Sequence, residues 1–144
     1  MKQKEREIPG TYEPLQWESK YSVREQFLDT HHQSLLALVN LLRSMCQDTI
    51  KKELVLATLA DLKEYCNYHF IAEEKYMAIN HYTGLEEHRE SHELYTRTIT
   101  SFYQEIETGK LDKIFDLVDF LEQWWEHHIL VLDQDYADFI EARA

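Results

Sequence analysis

Apolar residues in this chain return at alternating steps of four and three in four separate stretches, the signature of amphipathic helices with one buried face. The first stripe runs Leu28, His32, Leu35, Val39, Leu42, Cys46 and the second Val55, Leu59, Leu62, Cys66, His69, Glu73, Tyr76. The third is Leu85, His88, His92, Tyr95, Ile99, Phe102, Ile106, and the fourth Ile114, Val118, Leu121, Trp125, His128, Leu132. Turn and cap signals separate them. The first helix is expected from Ser22. The second should start after Gln47-Asp48-Thr49 and run from about position 50 to 79, and Thr83 with Glu86 reads as a capping box for the third. Gly109 is a natural stop, and Asp112 an N-cap for a fourth helix reaching to about position 141. Long helices joined by short connections predict an all-α fold, an up-down-up-down antiparallel four-helix bundle over residues 22–144.

Residues 1–21 show no periodicity and hold both prolines, Pro9 and Pro14, together with Tyr12, Trp17 and Tyr21. They predict an irregular N-terminal arm whose aromatic rings pack on the bundle. At 144 residues the chain suits one domain with one substantial core. A net charge of −12 and a pI near 5.0 disfavour nucleic acid and anionic membrane surfaces as partners. The charged start, Met1 to Glu7, leads into no apolar segment, and no run of 18 apolar residues occurs, which predicts a cytoplasmic protein; a monomer or weak homo-oligomer is expected. Cys46 and Cys66 fall at core phase and read as buried thiols.

The stripes carry a cost that composition does not explain. Inward phase falls on His32, His69, Glu73, His88, His92 and His128, whereas His31 lies on a stripe through Arg24 and Ser34 and reads as a flanking histidine at the helix edge. Residues four apart on a helix lie roughly 5 to 6 Å apart at Cβ, so His69 and Glu73, and likewise His88 and His92, can each address one point. A single core histidine is ordinarily hydrogen-bonded and structural. Five imidazoles and a carboxylate on four facing seams would oppose folding if left unpaired, and metal ligation reverses the sign of that cost. Nitrogen-rich donors suit iron, copper, nickel or zinc, and six donors exceed what one tetrahedral zinc needs, so two metals are expected. The chain has no phosphate-binding glycine loop, nucleophile elbow, zincin motif or Glu-x-x-His pair.

In order, the chain reads Trp17, Tyr21-Ser22-Val23, Phe27-Leu28-Asp29-Thr30-His31-His32, then His69-Phe70-x-x-Glu73-Glu74 with Met77. His88-x-x-x-His92 follows, and then Trp124 ahead of His128-Ile129-x-x-x-Asp133. Over about residues 17–140 this set resembles the hemerythrin family, in particular its single-domain bacterial members. The resemblance implies reversible O₂ binding, not enzyme catalysis, at a non-haem di-iron centre used in oxygen storage, delivery or sensing. By that resemblance His88, His92 and His128 hold one iron and His32 and His69 the other, with Glu73, Asp133 and a hydroxide or oxo group bridging Fe(II) or Fe(III) ions. O₂ is then the small-molecule ligand of the two-histidine iron. A di-iron enzyme handling peroxide or nitric oxide, and a redox or oxygen signalling module, are the competing readings.

Asp133 enters through the resemblance alone. It follows His128 by five residues, about 140° around an ideal α-helix, so either a π-type turn or a lateral reach would be needed; Asp135 is the alternative on the same face as His128. Two departures from the family pattern stand out. Where a leucine commonly follows the tryptophan, this chain reads Trp124-Trp125, and both rings are expected to line the O₂ pocket, with Trp125 narrowing it or simply filling a gap. Arg24 stands where the family often has glycine, away from the ligand positions.

Overall fold

The computed structural model describes residues 13–47 and 49–144; Tyr12, Pro9 and Asp48 lie outside the described residues. Helix α1 spans Gln26–Ser44, α2 Lys52–Ile79, α3 Leu85–Glu107 and α4 Lys113–Trp124. The α4 rod continues without interruption through a π-wound segment, Trp125–Asp133, into α5, Gln134–Arg143. Each rod packs against the next and α1 closes the ring against α4, the antiparallel four-helix bundle that the four stripes predict. There is no strand among the described residues, and no described helix is long and apolar enough to cross a membrane. Cys46 and Cys66 are buried free thiols, and burial pushes them up to about 11 and about 12 respectively.

Two apolar clusters fill the bundle. The larger gathers Leu35, Val39, Leu42, Leu59, Leu62, Ile99, Ile106, Leu121 and Trp125, and the smaller gathers Val23, Leu28, Met77, Tyr136 and Ala137. Every rod crosses from one to the other: Leu28 to Leu35 on α1, Cys66 to Met77 on α2, Leu85 to Tyr95 on α3, and Trp125 to Tyr136 along the fourth rod. The polar positions of the stripes lie at the crossing. Dry packing on both sides therefore holds one polar layer across the whole bundle.

Helix starts differ from the sequence expectation in three places, the first being α2, which begins at Lys52 with Lys51 as N-cap rather than at about 50 after a cap among residues 47–49. Helix α1 begins at Gln26 rather than Ser22, because Arg24 takes left-handed backbone (φ 59°) and the Asp29 carboxylate accepts from the Ser22 hydroxyl (2.6 Å) and the Val23 amide (2.8 Å). Helix α3 begins at Leu85 with Gly84 as N-cap, so the Thr83–Glu86 box does not form; Glu86 pairs with Arg89 instead (2.6 Å). Glycine suits position 84 because a Cβ there would meet the Tyr82 ring at 2.7 Å. Gly109 does end α3, with φ 105°.

The described part of the arm, from residue 13 on, folds back over the bundle. Asn40 of α1 accepts from the Leu15 amide and donates to its carbonyl, both at 2.8 Å. Trp17 and buried Tyr21 then pack on Trp125, at 6.5 and 5.3 Å between ring centroids. Arg24 ties the arm's end to α5 through Asp138 and Glu141, both at 2.6 Å. Left-handed backbone costs a non-glycine residue about 1–2 kcal/mol, and the exposed ion pairs return about 0–1 kcal/mol each. Arg24→Gly, which removes both effects, is expected to change unfolding stability by less than about 1 kcal/mol, whereas Arg24→Ala keeps the strain and loses about 1 kcal/mol. Urea unfolding at low and high salt checks this: both variants should gain equally on the parent as salt screens its pairs, and the Ala variant should stay below the Gly variant at either salt by the backbone strain.

Candidate metal centre

Seven side chains converge in the polar layer: His32 from α1, His69 and Glu73 from α2, His88 and His92 from α3, and His128 and Asp133 from the π-wound segment. All seven are buried, with Glu73 and Asp133 at 0% exposure. His31, one residue from His32, stays at the edge, and Asp135 is exposed. The π winding resolves the spacing of the fourth rod. Its wider turn puts the fifth residue after His128 on the same face, so Asp133 Oδ1 stands 3.1 Å from His128 Nε2 while Leu132 is only half-buried.

The donors fall into two groups that share the carboxylates. Glu73, His88, His92 and His128 form one and His32, His69 and Glu73 the other, with candidate ligand atoms within 4.8 Å of one another in each. Glu73 Oε1 faces His88 and His92 (2.9 and 3.0 Å), and its Oε2 faces His69 and His32 (3.1 and 3.2 Å). Asp133 repeats the division: Oδ1 faces His88 and His128 (3.0 and 3.1 Å) and Oδ2 faces His32 (3.2 Å). Each carboxylate thus offers one oxygen to each imidazole group.

These contacts fit cations better than hydrogen bonds. Among the described residues neither Asp133 oxygen makes a hydrogen bond of acceptable geometry despite three nearby Nε2 atoms. The facing Nε2 pairs His32–His69 (3.0 Å) and His92–His128 (3.2 Å) aim two ring nitrogens at one point, which a cation accepting both lone pairs would satisfy. Ligands about 2.1 Å from a metal and at right angles lie about 3.0 Å apart, the spacing seen around each group. The outer face of the layer is also furnished. Glu74 accepts from His92 Nδ1 (3.0 Å), Ser91 Oγ lies 2.9 Å from His128 Nδ1, His31 Nδ1 lies 3.1 Å from His69 Nδ1, and the Tyr136 hydroxyl donates to Glu73 Oε2 (3.1 Å). Sequence reasoning did not single out Ser91 or Tyr136; the available signal for Tyr136 is its position three residues beyond Asp133.

Both tryptophans touch the layer. Trp124 stacks on His128, 4.2 Å between centroids at 11°, and Trp125 meets His32 edge-on at 6.5 Å beneath Trp17 and Tyr21. A groove of about 420 Å³ between α2 and α3, lined by Phe70, Glu74, Arg89 and His92 among others, reaches the outer side of His92.

The protein matches the Hemerythrin HHE cation binding domain over residues 24–140. The chain belongs to the hemerythrin family. A bacteriohemerythrin of Clostridium acetobutylicum is 27% identical over 126 residues, covering 85% of this chain and 98% of that protein. A myohemerythrin of Riftia pachyptila is 28% identical over 130 residues, covering 90% of this chain and 94% of its own. A solved hemerythrin variant carrying tyrosine in place of a leucine shares the fold, with a TM-score of 0.80 at 20% identity over 88% of this chain and 96% of that one. The hemerythrin relatives support O₂ binding at a non-haem di-iron site, and the histidine and glutamate cluster is consistent with it.

Without metal the layer carries protons. Burial opposes charge on His32 and His88, but Asp133 and Glu73 outweigh it and push them up to about 9 and about 10. At His69 burial wins over Glu73 and lowers the ring to about 4. Burial would raise Glu73 and Asp133 too, yet the facing imidazoles hold both below the usual carboxylate range. His32 and His88 therefore stabilise the metal-free fold fully below pH 6.5 and lose that contribution as pH rises through 9 to 10. The depressed groups act oppositely: His69 costs stability as pH falls below 6.5, and the carboxylates below about 4.5. Metal-free thermal stability is expected to peak near pH 6.5. Because metals bind only neutral imidazole, loading should release protons and apparent affinity should rise from pH 6.5 to 9, measurable by metal titration in two buffers of different ionisation heat.

Proposed function

We propose that this hemerythrin-family protein binds O₂ reversibly at two irons, serving oxygen storage, delivery or sensing. In this reading His88, His92 and His128 would hold one iron and His32 and His69 the other, with Glu73 and Asp133 shared between the two and a hydroxide or oxo group completing the centre. The observation that carries it is the division of both carboxylates between the two imidazole groups. The irons supply the electrons for O₂ binding; the chain's own residues decide how many ligands each iron has, and how dry it is. Two histidines against three would leave the α1/α2 side with the open position. Neutral imidazoles outnumber carboxylates, which supports higher oxidation states less than a glutamate-rich site does and favours binding over oxygen activation. The apolar clusters above and below limit water and proton entry. Trp125, beside His32 and under the arm's rings, is placed to narrow O₂ entry, and Trp124, stacked on His128, to fix that imidazole.

Oxygen-electrode measurements on iron-loaded protein separate the readings. Uptake of one O₂ per iron pair that reverses under argon supports the carrier or sensor role. Continuous consumption of O₂, peroxide or nitric oxide with an electron donor would replace it with the enzyme reading.

A further inference from the structure

We propose that His31 is a positioning residue for His69 that sets the affinity of the two-histidine metal position, so that metals load in two unequal steps with this position filled second. The proposal rests on the di-iron reading. His69 turns Nε2 into the layer, 3.1 Å from Glu73 Oε2 and 3.0 Å from His32 Nε2, and its Nδ1 outward to within 3.1 Å of His31 Nδ1. With the Nε2 lone pair given to a metal, the His69 proton sits on Nδ1 and donates to His31. His31 must then present a bare Nδ1 and carry its own proton on Nε2. Its ring is held for this by Phe27, Tyr65 and Tyr68, with centroids 5.8, 5.9 and 5.1 Å away.

The outer partners of the two imidazole groups are unequal. His92 donates to a carboxylate, Glu74, which Arg89 grips in turn at 3.1 Å, and His128 is backed by the Ser91 hydroxyl. On the other side His69 has only a neutral imidazole behind it, and buried His32 Nδ1 has no hydrogen-bond partner among the described residues. An anionic acceptor raises the basicity of the imidazole that donates to it more than a neutral one does. The α3 side therefore combines three nitrogens with the stronger support. The α1/α2 side combines two nitrogens with a single outer hydrogen bond to its imidazoles, which makes that bond decisive for the second metal.

Anaerobic titration of the full-length metal-free protein with Fe(II), against a competing chelator, and with Co(II), read by its ligand-field absorption, tests this. The parent is expected to bind two ions per chain in two resolved steps. His31→Phe keeps a ring in the cage but offers no acceptor, and should weaken the second step about 10–100-fold while moving the first less than about threefold. His31→Gln, whose amide oxygen accepts, should restore the second step to within about threefold of the parent. Glu74→Gln should weaken the first step instead. Two ions bound by both parent and His31→Phe with the same affinities would overturn the proposal, as would equal weakening of both steps or no rescue by Gln. A parent that binds a single ion would instead overturn the di-iron reading beneath it.

Discussion

Glu73→Ala is expected to cut the metal content from two ions per chain to one or none, and to abolish reversible O₂ binding. No other residue faces as many of the others: its Oε1 addresses His88 and His92 and its Oε2 addresses His69 and His32. Removing it takes one anionic donor from both metal positions at once. The metal-free protein should suffer as well. His32 and His88 are held in their charged forms by Glu73 and Asp133, and leaving buried cations with half their counter-charge costs about 3–5 kcal/mol. Glu73→Gln keeps the shape and one acceptor oxygen, so it should lose metal as the Ala variant does while retaining more of the stability. Metal analysis of anaerobically loaded protein together with urea unfolding of the metal-free form reads both effects. Two ions per chain in the Ala variant, with unaltered O₂ binding, would contradict the bridging role.

Trp125→Leu is expected to speed O₂ association and dissociation and to hasten loss of the O₂-binding form. The indole is 2% exposed and wedged between His32 and the arm residues Trp17 and Tyr21, so a leucine there opens space between the arm and the two-histidine side. The same change removes a large core side chain, and a stability loss of about 2–4 kcal/mol should accompany it. Stopped-flow mixing with O₂ separates the two consequences. Lower unfolding stability with unchanged O₂ kinetics would mean that Trp125 only fills the gap.

The bundle was legible because burial on a helix leaves a period that needs no partner to be seen. The same period distinguishes His32 from His31: stripe phase puts His32 inward, and it is 0% exposed whereas His31 sits at the edge. The period fails where the backbone leaves ideal α geometry. Asp133 lies off the α-helical face of His128, and only π winding over Trp125–Asp133 turns it inward, an outcome that side-chain patterning does not encode. Caps were misread for a related reason. Thr83 and Glu86 have the right spacing for a box, but Gly84 over the Tyr82 ring starts the helix later and Arg89 takes the glutamate. The outer partners Ser91 and Tyr136 were invisible because each acts across helices, and a contact between helices has no period along either of them.

Arg24 shows how a side chain in left-handed backbone can be accommodated locally. Glycine would suit that φ better, yet the guanidinium reaches Asp138 and Glu141 on the last helix. It links the start of the bundle to its end without touching the polar layer.

Anaerobic loading with Fe(II) followed by exposure to air tests the central claim most directly. Two irons per chain, with a visible absorption band that appears in air and disappears when O₂ is removed, is the expected result. One bound metal per chain, or two irons that give no reversible band, would contradict it.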